Sequence, residues 1–168
     1  MSSASVVAPM RIGHGFDVHR LVAGRRLMLG GIHVPAPVGS LGHSDGDALL
    51  HALADALLGA ACLGDLGGLF PDTDPAYRDA DSLDLLAICA AHIEAAGLMV
   101  GNIDATIVLQ QPRLAPFLQM MRQRIAQTLG IAMEQISIKA KTSEGLGYTG
   151  DGSGIAAYAV VILQRISA

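Results

Sequence analysis

The run Arg11-Ile12-Gly13-His14-Gly15-Phe16-Asp17-Val18-His19-Arg20-Leu21 alternates along its length. Ile12, His14, Phe16 and Val18 fall on one side, Gly13, Gly15, Asp17 and His19 on the other. A period of two is that of a β-strand, so Asp17 and His19 point to one face. Residues 27–34 read as a second, hairpin-like strand broken by the Gly30-Gly31 pair.

Working outward, Ser44 and Asp47 have the spacing of a capping box and open a helix running to about residue 63. Leu50, Leu53, Ala54, Leu57 and Leu58 form its apolar stripe, and Gly64 is placed to stop it. A second helix is expected over 82–96, ended by Gly97, and a strand over 103–110. A third helix starts near Pro116, well suited to a first turn, and ends at Gly130. Residues 136–141 alternate as a half-buried strand. Residues 155–163 are apolar at every position and read as a strand covered on both sides. The order predicts an α+β (α/β) sandwich: a mixed four-stranded sheet with helices on one side. Residues 1–9 form a short tail and residues 10–168 a single domain.

Composition narrows the function classes. Charged residues make up only 15%, and 20 residues are Gly, which fits a chain that buries surface on more than one side, as in an oligomer. A net charge of −4 points to neither nucleic acid nor an acidic membrane. No apolar run reaches the ~18 residues needed to span a bilayer. Cys62 and Cys89 sit in apolar, helical-looking stretches, read as two buried thiols in a reducing compartment. The expectation is a soluble, cytoplasmic protein without nucleic-acid or membrane partners.

Asp17 and His19 on one strand face, with His51 on the following helix, supply one carboxylate and two imidazoles. With a fourth position open, that set suits a catalytic zinc site, or is a polar edge strand beside a helix-face histidine that is simply hydrogen-bonded. Asp55, four residues beyond His51, either orients an imidazole or is solvated. Gly42-His43-Ser44-Asp45-Gly46-Asp47 lies at a helix start, where free backbone donors favour a phosphate, or is an ordinary cap. The stretch 139–147 carries lysines, hydroxyls and Glu144, a set that grips phosphates and a hard cation or is a solvated loop.

Five motifs in one order carry a resemblance. They are Gly13-His14-Gly15-Phe16-Asp17-Val18-His19; His43-Ser44-Asp45-Gly46-Asp47 with His51; Gly64-Asp65-Leu66-Gly67; Phe70-Pro71-Asp72-Thr73-Asp74; and Lys141-Thr142-Ser143-Glu144-Gly145-Leu146-Gly147-Tyr148. Together, over residues 11–163, they resemble the 2-C-methyl-D-erythritol 2,4-cyclodiphosphate synthase family. The resemblance implies a metal-dependent phosphorus-oxygen lyase of the non-mevalonate isoprenoid route. Such an enzyme cyclises 4-diphosphocytidyl-2-C-methyl-D-erythritol 2-phosphate, whose own 2-phosphate attacks the β-phosphorus as CMP leaves.

Carried onto this chain, the resemblance makes Asp17, His19 and His51 the ligands of one zinc per subunit. It makes Glu144 the ligand of a second ion, Mg or Mn. His43 and Thr142 become the catalytic pair that stabilises the transition state. Ser44, Asp65, Leu66, Gly67, Phe70, Pro71, Asp72, Thr73 and Asp74 hold the methylerythritol phosphate. Leu109, Gln110, Gln111, Pro112, Arg113, Leu114 and Ala115, with Lys141, Thr142 and Ser143, form the cytidine and diphosphate pocket, and Tyr148 and Asp151 complete the substrate set. The implied assembly is a homotrimer of the Bacillus chorismate mutase type, with sites between subunits.

Two departures stand out. Gln111 replaces a small residue of the usual Ala-x-Ala-Pro-Lys. Asp151 stands where many bacterial members carry an arginine, which removes an anion-binding charge. Two rival readings are a zinc-dependent phosphohydrolase, which activates water at the same open position, and a non-catalytic trimeric module that binds metal or isoprenoid.

Overall fold

The computed structural model describes residues 10–71, 73–77 and 79–166. The expected tail 1–9 and Asp72 lie outside them.

The alternating run at the start forms the long strand β1 (Met10–Ala23). It is followed by β2 (Leu27–Leu29), β3 (Ile32–Val34) and β4 (Val38–Leu41). Next come α1 (Ala48–Ala61), a short α2 (Leu66–Leu69) and α3 (Ser82–Ala95). The chain ends with β5 (Leu98–Val108), α4 (Leu118–Leu129), β6 (Ile136–Lys141), a one-turn α5 (Gly147–Gly150) and β7 (Gly154–Arg165). The main sheet has five strands in the order β4-β1-β7-β5-β6, while β2 and β3 pair separately as the expected hairpin. Only β5 and β6 run parallel; the other pairs are antiparallel.

The α+β class and the mixed sheet follow the sequence expectation, but the sheet has five strands, not four. The missed strand, β4, is four residues long and carries too little alternation to be read. Two helix boundaries also differ. Asp47, not Ser44, is the N-cap of α1, its side chain accepting from Leu50 N. The helix ends at Ala61 because Cys62 takes a left-handed conformation (φ 59°) and donates to the carbonyls of Leu58 and Gly59, so Gly64 is not the stop. Cys62 is exposed and only Cys89 is buried, which corrects the expectation of two buried thiols.

Helix α1 is the centre of the core, with eleven of its fourteen residues buried. It lies against the sheet at very short range, and two glycines make that approach possible. A Cβ on Gly13 would stand 1.9 Å from the Ala56 carbonyl oxygen, and one on Gly15 would stand 1.8 Å from that of Ala52. Two residues of strand advance about 6.6 Å and one helical turn about 5.4 Å. The antiparallel contact series therefore runs from Gly13 and Gly15 on to Asp17, opposite Ala56, Ala52 and then the turn that carries His51.

Gly15→Ala is accordingly expected to cost about 3 kcal/mol or more, because the clash is with backbone and no rotamer relieves it. Gly59→Ala, at a helical position with open space around the missing Cβ, should gain up to about 1 kcal/mol. Urea midpoints of the two variants would check this, and equal midpoints would remove the packing argument.

The odd-numbered face of β7, from Ile155 to Leu163, is fully buried on the helix side. Its other face is not covered within one chain. Tyr158 and Val160 are each 40% exposed, beside Ile12 at 73%, Phe16 at 42% and Val18 at 43% on β1. The two-sided covering expected for residues 155–163 thus fails for the single chain, which presents an apolar sheet face outward.

Candidate metal centre

Because α1 crosses β1 at the glycines, the next inward side chains of the strand meet the first turn of the helix. Asp17 Oδ2 lies 2.9 Å from His19 Nε2 and 3.0 Å from His51 Nδ1, and the two nitrogens are 3.1 Å apart. These three are the one group of His, Cys, Asp or Glu able to hold a metal ion among the described residues. A tetrahedron built on zinc–ligand bonds of about 2.0–2.1 Å has edges of about 3.3–3.4 Å, so the observed spacings need only a few tenths of an ångström of relaxation. His19 Nδ1 lies 3.1 Å from the Leu41 carbonyl, which can only accept. The N–H is therefore at Nδ1, and the Nε2 lone pair is left facing Asp17 and His51. Donor type, spacing and ring orientation all fit a zinc ion.

The converging donors perturb one another. Burial alone would raise the Asp17 carboxyl, but the hydrogen bonds and charges of His19 and His51 outweigh it and hold the group at about 2. Burial disfavours charge on His51, yet its bond to Asp17 and the nearby carboxylates lift its pKa above the usual value. Asp47, fully buried, is pushed up to about 6 by burial and by the charge of Asp45, against the hydrogen bonds from Gly31 and Leu50.

The signs give a pH prediction for metal-free protein. Raised pKa values at Asp47 and His51 supply stability at low pH that is lost as pH rises through about 6 and above 6.5. The depressed Asp17 supplies stability above 3.8 that is lost as pH falls through about 2. Metal-free protein should be most stable at about pH 4 and weaken toward pH 8. Saturating zinc, which displaces the proton from His51, should reverse that order. Urea midpoints between pH 3 and 8 would test it; a metal-free midpoint that climbs from pH 5 to 8 would defeat it.

Around the triad a pocket is lined by His19, His43, Ser44, His51, Leu66, Gly67, Phe70, Tyr77 and Leu85. The structure thus gathers His43, Ser44, Leu66, Gly67 and Phe70 from three separate motifs beside the candidate ligands. Asp65 caps α2 and accepts from Gly68 N, while Pro71, Thr73 and Asp74 sit on an exposed loop.

Three of the backbone donors in the segment 42–47, where a phosphate cradle is expected, already have partners within the chain. Asp45 N donates to the Ala80 carbonyl, Gly46 N to Ser44 Oγ and Asp47 N to Asp45 Oδ1. Asp55 does not orient an imidazole; it accepts from Leu66 N at 2.7 Å and pins the start of α2. The imidazole partners that sequence reading missed are the Leu41 carbonyl and Ser82. Ser82 is read from sequence only as a helix start, and no spacing signal ties it to His51, 31 residues away.

The other expected half of the site lies elsewhere in the chain. A second pocket is lined by Leu109, Gln110, Pro112, Arg113, Leu114, Ala115, Lys141 and Thr142, with Gln111 and Pro112 joined by a cis peptide bond. Asp17 is level with Ala157, Ala157 with Ile107, and Ile107 with Ala140. Three strand spacings of about 4.8 Å therefore put the end of β6 about 14 Å from the triad. Glu144 is exposed, with φ 54°, and accepts from Thr142 Oγ1 at 2.9 Å; Ser143 bonds Thr149 and the Leu146 carbonyl. Tyr148 is exposed, and Asp151, also exposed, accepts from Ser153 N within its own turn. One chain therefore does not bring Glu144 to the triad.

A family model described as the YgbB family matches residues 10–164. The chain belongs to the YgbB family. Among its relatives is the 2-C-methyl-D-erythritol 2,4-cyclodiphosphate synthase of Moorella thermoacetica, 60% identical over 92% of this chain and 94% of that protein. The enzyme of the same name from Trichlorobacter lovleyi is 56% identical over 92% and 98%. A solved 2C-methyl-D-erythritol-2,4-cyclodiphosphate synthase in a CDP-bound form superposes with a TM-score of 0.85 at 43% identity, covering 92% of this chain and all of that one. The YgbB match spans β1 through nearly all of β7, so it includes both pockets and the triad.

Proposed function

We infer that the protein converts 4-diphosphocytidyl-2-C-methyl-D-erythritol 2-phosphate to 2-C-methyl-D-erythritol 2,4-cyclodiphosphate with release of CMP, in the non-mevalonate isoprenoid pathway. The carrying observation is the convergence of Asp17, His19 and His51 beside a pocket, in a chain 60% identical to an enzyme of that name. The reading makes it a phosphorus-oxygen lyase of one catalytic domain, residues 10–168, acting in a cytoplasmic, reducing setting suited to the free thiols of Cys62 and Cys89. No helix among the described residues is long and apolar enough to cross a membrane.

The chemistry asks the protein to fold one substrate onto itself and to disperse charge, not to supply a nucleophile. Zinc, held by Asp17, His19 and His51, supplies Lewis-acid polarisation of a phosphoryl oxygen when bound. His43, Ser44, Leu66, Gly67 and Phe70 shape the pocket for the methylerythritol phosphate, with Asp65 and the loop of Pro71, Thr73 and Asp74 at its rim. Arg113 and Lys141 bring positive charge to the cytidine and diphosphate pocket, with Thr142 and His43 placing donors on the phosphates. Glu144 offers a hard oxygen for Mg or Mn beside those phosphates.

Two observations support a homotrimer of the Bacillus chorismate mutase type with sites between subunits. The halves of the site are about 14 Å apart within one chain. The outer sheet face of Ile12, Phe16, Val18, Tyr158 and Val160 is apolar and bare in the single chain, as the surface around a shared axis requires.

Incubation with the cytidylyl substrate and Mg²⁺ in ¹⁸O-labelled water tests the reaction. Phosphorus NMR should show CMP and a cyclic diphosphate free of solvent label. Labelled phosphorus or released inorganic phosphate would establish the phosphohydrolase reading instead.

A further inference from the structure

His51 Nε2, the ring nitrogen turned away from Asp17 and His19, lies 3.0 Å from two hydroxyls, Ser44 Oγ and Ser82 Oγ. The directions of these two bonds decide whether a proton on Nε2 is accepted, and so whether Nδ1 can be left to a metal. Ser44 leaves the matter open: its oxygen accepts from Gly46 N at 3.3 Å, and its own proton is uncommitted. Ser82 does not. Its Oγ lies 2.5 Å from Asp45 Oδ1, and a carboxylate oxygen only accepts. The carboxylate is itself fixed, Oδ2 taking Ser82 N at 3.1 Å and Oδ1 taking Asp47 N at 3.1 Å. The Ser82 proton is therefore spent on Asp45, and only oxygen lone pairs face His51. On the other side of the ring Nδ1 faces Asp17 Oδ2 at 3.0 Å, also an acceptor, so without metal either nitrogen has a partner for a proton. When a metal takes Asp17 Oδ2 and Nδ1 together, the N–H that remains at Nε2 has the Ser82 oxygen to accept it.

We propose that Asp45 and Ser82 are positioning residues that set the tautomer of His51, so that Nδ1 is the nitrogen offered to zinc. The proposal rests on the metal-centre reading above and adds what orients its third ligand. The relay also ties the site to the scaffold, because Ser82 is 1% exposed at the first position of α3 while Asp45 precedes α1. One carboxylate thus locks the starts of two helices and, through one hydroxyl, the ring between them.

The geometry gives a non-additive test. Ser82→Ala removes the acceptor and should weaken zinc binding about 10-fold, as loss of an outer partner does. Asp45→Asn does more: its amide must place an NH₂ against one of the three donors that Asp45 now satisfies. An NH₂ facing Ser82 Oγ turns the hydroxyl proton toward His51 Nε2 and favours the wrong tautomer, for a loss of about 100-fold. The double variant lacks the hydroxyl that transmits this reversal, so it should return to the level of Ser82→Ala alone.

Zinc dissociation constants of the chelator-stripped full chain, measured against a chromophoric competitor, read all four proteins. Full multiplication of the two single losses, or wild-type affinity in Asp45→Asn, overturns the proposal. Where a variant does not fold, ¹⁵N NMR of the His51 ring in the zinc-loaded wild-type chain decides. Zinc on Nδ1 with a proton on Nε2 supports the relay, and zinc on Nε2 overturns it. Failure of the wild-type chain to bind zinc would defeat the metal-centre reading and the relay with it, whereas zinc on Nε2 in a chain that binds zinc defeats the relay alone.

Discussion

His51→Ala is expected to abolish tight zinc binding and to lower turnover about 10³-fold or more, the several kcal/mol of charge stabilisation a Lewis acid supplies at about 1.36 kcal/mol per decade. The fold should survive. His51 is on α1, but it is one of the few residues of that helix not fully buried, and its ring contacts are polar: Asp17, His19, Ser44 and Ser82. Removing it leaves a small polar cavity that water can fill, unlike the apolar void left by truncating Leu53 or Leu57. Ala also favours the helix. Metal content by elemental analysis, far-UV circular dichroism and CMP release would be measured together. A variant with full zinc occupancy would take His51 out of the ligand set, whatever its activity.

The placement of those ligands shows how far sequence carries. Alternation along β1 put Asp17 and His19 on one face, and the structure agrees because the strand's inner face is continuous from Gly13 to His19. Sequence also placed a helix around His51. What it did not reveal is the reason the helix and strand meet, which is the missing Cβ atoms of Gly13 and Gly15. Local pattern gave Ser44 the cap because Ser and Asp three apart look like a cap pair. In the fold Asp47 takes that task, and the Ser44 hydroxyl faces His51 instead. Asp45 and Ser82 had no readable signature, since their pairing joins segments 37 residues apart. The strand at 155–163 is legible in the same limited way: apolar residues on both faces say that both become covered, not which chain does the covering.

Glu144→Gln should separate the second cation from the first. Among the described residues Glu144 belongs to no group of three metal ligands, so its own chain does not build a cage around it. That is the ordinary condition of a magnesium site, which takes one or two carboxylates and fills its shell with water and substrate phosphates. The carboxylate is presented for such use. Glu144 holds a left-handed backbone (φ 54°) that non-glycine residues rarely adopt, with Gly145 following at φ 81°. The Thr142 hydroxyl donates to its Oε1 at 2.9 Å. Glutamine can keep that hydrogen bond through its own Oε1 and has no greater difficulty with the backbone, so the substitution removes charge and little else. Zinc content should stay at the wild-type level, because Asp17, His19 and His51 are untouched. Turnover should fall about 10²–10³-fold, comparable to removing one preorganised electrostatic contact from a phosphoryl-transfer site. The dependence of rate on added Mg²⁺ or Mn²⁺ should flatten as well. Wild-type turnover with an unchanged magnesium response would show that Glu144 does not hold the second ion. Loss of zinc together with activity would show that the two sites are not separable in the way the donor chemistry implies.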